Sequence, residues 1–335
     1  MRICLVPWVH GVGGMVSFQA KMAAGLAARN IQVSYDPDDP AISAILLTGG
    51  TRHLAGLLRA RRRGVRIVQR LDGINWLHQR LPTGTRHFLR AEYGNRLLAL
   101  LRARLVSRLV YQSAFVQDWW TRQFGPERVP AVVIHNGVDL SAYTPEGEHN
   151  LPPDFIRLLV VEGSLQGGYE TGLATAVDLA GRLAEKYPLE LMVVGRVSAE
   201  LKAETRSHSR IPIRWAGLVE RERIPALDRS AHLLYSADLN AACPNAVIEA
   251  LACGLPVAAF ATGALPELVT GDAGRLAPYG GDPWLLDPPD LPALVAAAAE
   301  ILDNNASFRL AARQRAEQAF SLDTMLERYL EVLEG

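Results

Sequence analysis

Short apolar runs alternate with amphipathic stretches along this chain, stop, and then alternate again; that doubled rhythm limits the fold more than any single motif. In the first half, Ile3–Val6, Ile31–Tyr35, Ile42–Leu47, Val65–Arg70, Leu109–Tyr111 and Val132–His135 have the length and branching of buried strands. Between them Met15–Arg29, His87–Arg104 and Ala114–Gln123 carry helical periodicity, with Ser113 placed as N-cap of the last. A polar stretch containing Pro145, Gly147, Pro152 and Pro153 then interrupts the pattern. Beyond it, strands are predicted over Leu158–Glu162, Leu189–Val194, Ile213–Ala216, His232–Tyr235 and Val257–Phe260. Helices are predicted over Thr171–Glu185, Arg221–Arg229, Asn245–Cys253, Leu291–Leu302, Ser307–Ala319 and Leu322–Leu333. Such alternation makes parallel sheets covered on both faces, with ligands at the carboxyl ends of the strands. The 335 residues, 49% of them hydrophobic, are enough for two cores. The expected layout is an α/β chain of two doubly wound, Rossmann-like domains facing an interdomain cleft. Residues 1–144 form the first domain, 145–155 a linker and 156–320 the second. A final helix over 321–335 is placed to cross back to the first domain.

The segment Tyr235–Val269 holds the most chemistry. It reads as strand, loop, helix, strand and glycine loop. Pro244 opens the helix, and Asn245 and Glu249, four apart, share one of its faces. Gly254 stops it ahead of the buried strand Val257–Phe260. A helix N-terminus offers free N–H groups and partial positive charge to a phosphate. A carboxylate one turn inside can accept two hydrogen bonds from the paired hydroxyls of a ribose. Phosphate and ribose together mean a nucleotide; the plainer alternative leaves Glu249 as a helix-dipole partner and Glu267 solvated.

These residues resemble the nucleotide-sugar site of family 4 glycosyltransferases, retaining enzymes of the GT-B fold. In that family two glutamates flank seven residues, the helix continues E-A-x-A-x-G-x-P-V, and a glycine loop with a glutamate follows. Glu249, Gly254, Pro256 and Val257 match, and Gly263 and Glu267 fall on the loop, but Ala241 stands where the first glutamate belongs. Gly11-Val12-Gly13-Gly14 follows the first strand, where the family has a similar Gly-Gly close to the donor phosphates, so Gly13 and Gly14 join the donor set by resemblance. It is not the G-x-G-x-x-G of a dinucleotide site. The His135–Asp139 string, H-N-G-V-D, is common in the family and marks entry to the region between domains.

Two further places depart from the family pattern. Arg70-Leu71-Asp72 ends the fourth strand, with Leu71 where a histidine over the donor sugar is expected. Asp72 either orients an acceptor or sugar hydroxyl, or pairs with Arg70, or caps the next loop; Arg70 and Asp72 are the acceptor-side candidates, and Asp72 and Glu249 the catalytic ones. In Glu162–Glu170, Gly163 and Ser164 stand where the family has a Gly-Arg phosphate clamp, and no lysine follows. Arg196 is either a substitute cation for the donor diphosphate or a surface arginine.

The resemblance implies transfer of a sugar from a UDP- or GDP-sugar, with retained anomeric configuration, to a glycan, lipid-linked or small-molecule acceptor. The nucleotide sugar is a substrate; no cofactor and no metal is expected. The missing polar positions keep open a nucleotide-sugar-binding partner protein without transfer. A sugar-nucleotide epimerase of the same fold also stands as an alternative. Net charge is zero overall, yet residues 1–150 hold about 19 Arg and Lys against about 10 Asp and Glu, leaving the remainder equally acidic. The basic half either attracts anionic lipid or a pyrophosphate acceptor, or it is solvated, as Arg59 and Arg61–Arg63 would be at a helix end. No aromatic residues alternate with these arginines, so nucleic acid is not an expected partner. No run of eighteen apolar residues occurs, the N-terminus enters a strand directly, and Cys4, Cys243 and Cys253 lack metal spacing. These features lead to the expectation of a cytoplasmic protein, peripheral at the inner face of the membrane.

Overall fold

The computed structural model describes every residue of the chain except Val12, Gly167 and Tyr169. It divides into two compact units, Met1–Gly137 with Leu322–Gly335, and Val138–Ser321.

Unit 1 contains β1 (Arg2–Val6), α1 (Gly14–Ala28), β2 (Gln32–Ser34), β3 (Ala44–Leu47), α2 (Leu54–Arg62) and β4 (Arg66–Leu71). It continues with α3 (Thr85–Arg104), β5 (Arg108–Tyr111), α4 (Ala114–Phe124) and β6 (Ala131–Val133). All strand pairings are parallel, in the order β2-β1-β3-β4-β5-β6. Buried strands such as Ala44–Leu47 carry apolar side chains on both faces, as a sheet covered twice requires. Ser113 caps α4, its hydroxyl accepting from the Val116 N–H at 3.2 Å.

Unit 2 contains β7 (Ile156–Ser164), α5 (Glu170–Leu183), β8 (Leu189–Arg196), α6 (Ala199–His208), β9 (Ile213–Gly217) and α7 (Ile224–Arg229). It continues with β10 (Leu233–Tyr235), α8 (Asn245–Ala252), β11 (Val257–Phe260), α9 (Leu265–Leu268), β12 (Gly274–Ala277), α10 (Leu291–Asp303) and α11 (Asn305–Ala319). Its sheet is also parallel throughout, in the order β12-β11-β10-β7-β8-β9. The chain therefore builds outward from β7 on one side, then returns to build outward on the other. The reversal between β7 and β10 is the crevice where such sheets take ligands.

The last helix, α12 (Leu322–Glu334), belongs to unit 1. Met325, Leu326, Tyr329 and Leu333 are buried with Phe18, Met22 and Leu26 of α1. Gly25 lets α12 come this close, since a Cβ there would sit 2.2 Å from Leu326 Cδ1.

The boundary differs from the expected linker over 145–155. The crossing falls at Gly137–Val138, and 145–155 is tied down inside unit 2. Arg229 donates to the carbonyls of Thr144 and Glu148, and the Asn150 N–H donates to Ser230 Oγ at 2.7 Å. Proline and glycine there produce irregular packed coil rather than a free joint. Four elements fall outside the predicted pattern, among them α2, of which only the basic end is expected from the sequence. α6 buries no residue, so it has no apolar period; only Ser198, which accepts from Leu201 N–H at 3.1 Å, marks its start. β12 and α9 are four residues each, below the length at which a pattern can be read.

Candidate functional site

The residues singled out in unit 2 come from segments 163–196 and 245–267, and the strand order gathers them. β11, β10, β7 and β8 are consecutive neighbours, and the four carboxyl ends carry the Gly263–Glu267 loop, the approach to α8, Gly163–Ser164 and Arg196. Ser164 and Arg196 are register partners, and the Leu165 N–H donates to the Arg196 carbonyl at 3.0 Å. Arg196 is exposed, so a cation is open to solvent beside the position where the clamp arginine is missing. Gly163 is open, with nothing within 4 Å of where a Cβ would be. Gly167, part of the same proposed phosphate loop, lies outside the described residues.

Two glycines hold this edge together by close approach. Gly195 has φ +139°, and a Cβ there would lie 2.2 Å from the Glu162 carbonyl. Gly263 has φ +60°, and its Cβ would lie 2.5 Å from the Ala241 nitrogen. The Ala264 N–H donates to the Ala241 carbonyl at 2.9 Å, so Gly263 packs the glycine loop onto the segment leading to α8. Ala241 itself is buried. Glu267 is half-buried on α9, and its carbonyl accepts from Arg315 Nη2 at 2.6 Å.

α8 begins after Pro244, as expected, with Asn245 in its first turn and Glu249 on its second. Glu249 is 8% exposed. Its charge is felt by Tyr143 and by Asp228 of α7. Burial, followed by the Glu249 charge, pushes the Asp228 carboxyl well above the ordinary carboxylate range, and Asp228 Oδ2 has no hydrogen-bond partner among the described residues. Asp228 thus holds its proton more tightly than an ordinary carboxyl, and no local pattern in the sequence singles it out.

A second carboxyl pair was also invisible in the sequence. Glu162 lies near the end of β7 and Asp238 just beyond β10, on the two sides of the crevice. Desolvation raises both, and the Asp238 charge raises Glu162 further. Two like charges at one edge cannot both ionise cheaply, so the pair titrates as a unit above the usual range.

In unit 1, Gly13 is exposed with φ +142° and open space around it, and Gly14 begins α1. Val12 lies outside the described residues. Leu71 is fully buried, so the family's histidine position contributes only to the core. Asp72 is half-buried, and its carbonyl accepts from Trp120 Nε1 at 2.8 Å. Desolvation raises its carboxyl above the ordinary range, against the pull of Arg70. The two do not form an ion pair among the described residues. Arg70 instead donates through Nη2 to Asn136 Oδ1 at 3.0 Å, with its guanidinium 3.9 Å from the Phe18 ring centre. Its Nε and Nη1 are buried without partners among the described residues. Lys21, also buried, donates to the Gly137 carbonyl at 2.8 Å. No group of three or more His, Cys, Asp or Glu that could hold a metal occurs among the described residues. No helix among them is long and apolar enough to cross a membrane.

Residues 157–304, inside unit 2, match the family model described as Glycosyl transferases group 1. The chain is 27% identical over 143 residues to one subunit of the human phosphatidylinositol N-acetylglucosaminyltransferase; the match covers 41% of this chain and 28% of that relative. The structure resembles sucrose-phosphate synthase from Thermosynechococcus elongatus with a TM-score of 0.77 at 17% identity, covering 99% of this chain and 98% of the other. It also resembles Anabaena HepE in complex with UDP and glucose, with a TM-score of 0.73 at 17% identity and 99% coverage of both chains. Two parallel six-stranded sheets with flanking helices, matching these structures, make this a GT-B fold.

Proposed function

We propose that the protein is a retaining glycosyltransferase that takes a sugar from a UDP- or GDP-sugar. The observation that carries this reading is the gathering of Glu249, Gly263–Glu267, Gly163–Ser164 and Arg196 at four adjacent strand ends of unit 2. The family match over 157–304 covers those same segments, and the HepE structure, of like fold, holds UDP and glucose. Glu249 accepts the ribose hydroxyls, while backbone N–H groups of the Gly163–Gly168 loop, the α8 N-terminus with Asn245, and Arg196 take the diphosphate. The leaving diphosphate is the charge that needs stabilising in this chemistry. Gly13 and Gly14, exposed at the start of α1, are the phosphate-binding candidates of unit 1 by itself. Asp72, its carboxyl raised by desolvation, orients the acceptor hydroxyl, and Arg70 lies on the same acceptor side. The acceptor class is a glycan or a lipid-linked sugar.

Titration of the protein with UDP, GDP and the corresponding nucleosides tests this. Glu249→Ala should lower nucleotide affinity by roughly 1.5–3 kcal/mol, the range for hydrogen bonds to a charged group. Arg196→Ala should remove much of the advantage of diphosphate over nucleoside. Equal binding of UDP by the parent and by Glu249→Ala would end the proposal. One observation favours a binding protein without transfer: Leu71 and Ala241, at two positions where the family has polar side chains, are buried. Release of free or transferred sugar from a bound nucleotide sugar decides between the two.

A further inference from the structure

Eleven large apolar side chains are exposed among the described residues, and four of them, Phe88, Leu89, Tyr93 and Leu100, lie on α3. Phe88 turns aside to meet the His78 ring edge-on at 5.0 Å. The others share one face. Taking 100° per residue, Leu89, Tyr93, Leu97 and Leu100 fall within about 40° of a common direction. Leu89 is 68% exposed, Tyr93 66% and Leu100 54%, with Leu97 half-buried between them, whereas Ala91, Asn95 and Arg102 on the opposite side are buried. This helix therefore has its packed face and, opposite it, a second apolar stripe that unit 1 does not cover.

Charged residues frame that stripe. Arg90 flanks it on one side and Arg96 on the other, while Arg86 and Arg104 stand in line with it at the two ends; all four are exposed. The single acid of the helix, Glu92, lies at the border and is half-buried. Its oxygens are engaged by His78 Nε2 at 3.0 Å and Gln79 Nε2 at 2.9 Å, with Arg96 Nε 3.9 Å away. Nothing on the face repels an anion.

We infer that the outward face of α3 docks on an anionic lipid surface, with Leu89, Tyr93 and Leu100 entering the interfacial layer and the arginines meeting headgroup phosphates. An apolar stripe framed by arginines is the arrangement of a helix lying in a membrane interface. Arginine stems can lie along the apolar layer while their heads reach the phosphates, and a tyrosine suits the boundary. A second copy of this chain is the less favoured occupant, because self-pairing would bring the same arginines face to face. The inference builds on unit 1 as the acceptor half only in giving a lipid-linked acceptor a place to meet the protein; the contact itself does not depend on the donor reading.

Flotation of the full chain with vesicles of phosphatidylcholine alone, and of an equal mixture with phosphatidylglycerol, tests it. The parent should float with the anionic vesicles, lose them as salt is raised, and ignore the neutral ones. Arg86→Glu with Arg90→Glu should weaken binding by roughly 25-fold, about fivefold for each arginine lost. Leu89→Ser with Tyr93→Ser and Leu100→Ser should weaken it too; these side chains are exposed, so folding is spared. Arg206→Glu with Arg210→Glu, the same charge change in unit 2, should bind like the parent. The inference fails if the parent ignores anionic vesicles, or if both α3 variants bind them as the parent does. It also fails if the parent is a dimer in solution that the serine variant converts to monomer, since a second copy would then cover the face. UDP titration of the parent keeps the two readings apart: no vesicle binding with intact UDP binding overturns only the docking face, and vesicle binding without UDP binding overturns only the donor site.

Discussion

At the carboxyl edge of the unit 1 sheet the buried charged groups named above are cations, Arg70 and Lys21, beside the half-buried Asp72. At the same edge of unit 2 carboxyls predominate, the buried Glu249 and the half-buried Glu162–Asp238 pair with Asp228 buried behind them, and the cation Arg196 is exposed. The whole units follow suit. Unit 1 has 20 Lys and Arg against 11 Asp and Glu, and unit 2 has 15 against 24. Two sheets of the same type, both six-stranded and parallel, thus present opposite fields at equivalent edges. A doubly wound sheet supplies the crevice and the helix ends whatever its sequence, while the sign of the field there comes from a handful of side chains. Carboxyls at an edge suit sugar and ribose hydroxyls, which donate; a guanidinium with unspent N–H groups suits an anion.

The sharpest way to break the comparison is to damage one edge alone. Gly195→Ala places a methyl against the Glu162 carbonyl at a positive φ, and should cost about 3 kcal/mol or more of stability. Gly163→Ala, with open space around it, should stay within about 0.5 kcal/mol of the parent. Chemical denaturation of both measures this, and equal effects would mean that the β7–β8 edge is not held by the close approach described.

A second test concerns the cation of unit 1. Arg70 keeps Nε and Nη1 buried and unpartnered among the described residues. Arg70→Met should therefore raise the melting temperature, by an amount equivalent to about 1 kcal/mol, because an apolar side chain of similar length removes a desolvated charge. UDP affinity should not change. A large loss of stability would show that the guanidinium is satisfied in place, through Phe18, Asn136 and Asp72, and the contrast between the edges would be one of packing rather than ligand chemistry.

The smallest expected effect is a pH dependence. Glu162 is raised to about 8 in the folded protein, so the folded state holds its proton more tightly than the unfolded chain. Its favourable contribution is complete below the ordinary carboxylate value and is lost as pH rises through the folded value. Unit 2 should lose stability between about pH 4.5 and pH 8, and Glu162→Gln should remove the Glu162 share of that slope and leave the share of Asp238. The variant should match the parent near pH 4.5 and be the more stable of the two at about pH 8.5. Parallel melting curves across that range would mean that the pair is well solvated.

Much of the architecture was legible because it rests on local patterns. The strand at Val257–Phe260 and the cap at Ser113 follow from residues within a few positions of each other. The Glu162–Asp238 pair was not legible, since the two acids are far apart in sequence and meet only because β10 returns to pair with β7. Nothing in a strand's own residues says which neighbour it takes. Arg70 shows the same limit from the other side: its place at the end of a strand could be read, but not that Asp72 would fail to pair with it. The 145–155 stretch misled for a related reason. Proline and glycine report the absence of regular structure, and Arg229 then packs that coil against unit 2.

The ownership of α12 has a consequence in time. A ribosome releases Val138–Ser321 as one uninterrupted stretch, while the residues that close the unit 1 core, Met325 to Leu333, are made only after it. Unit 2 can thus fold while the chain is still growing, but unit 1 must wait with Phe18, Met22 and Leu26 uncovered until those residues emerge. For that interval the earlier-made half is the one exposed to chaperones and proteases, and a truncation ahead of Met325 would harm the beginning of the protein rather than its nearest neighbour in sequence.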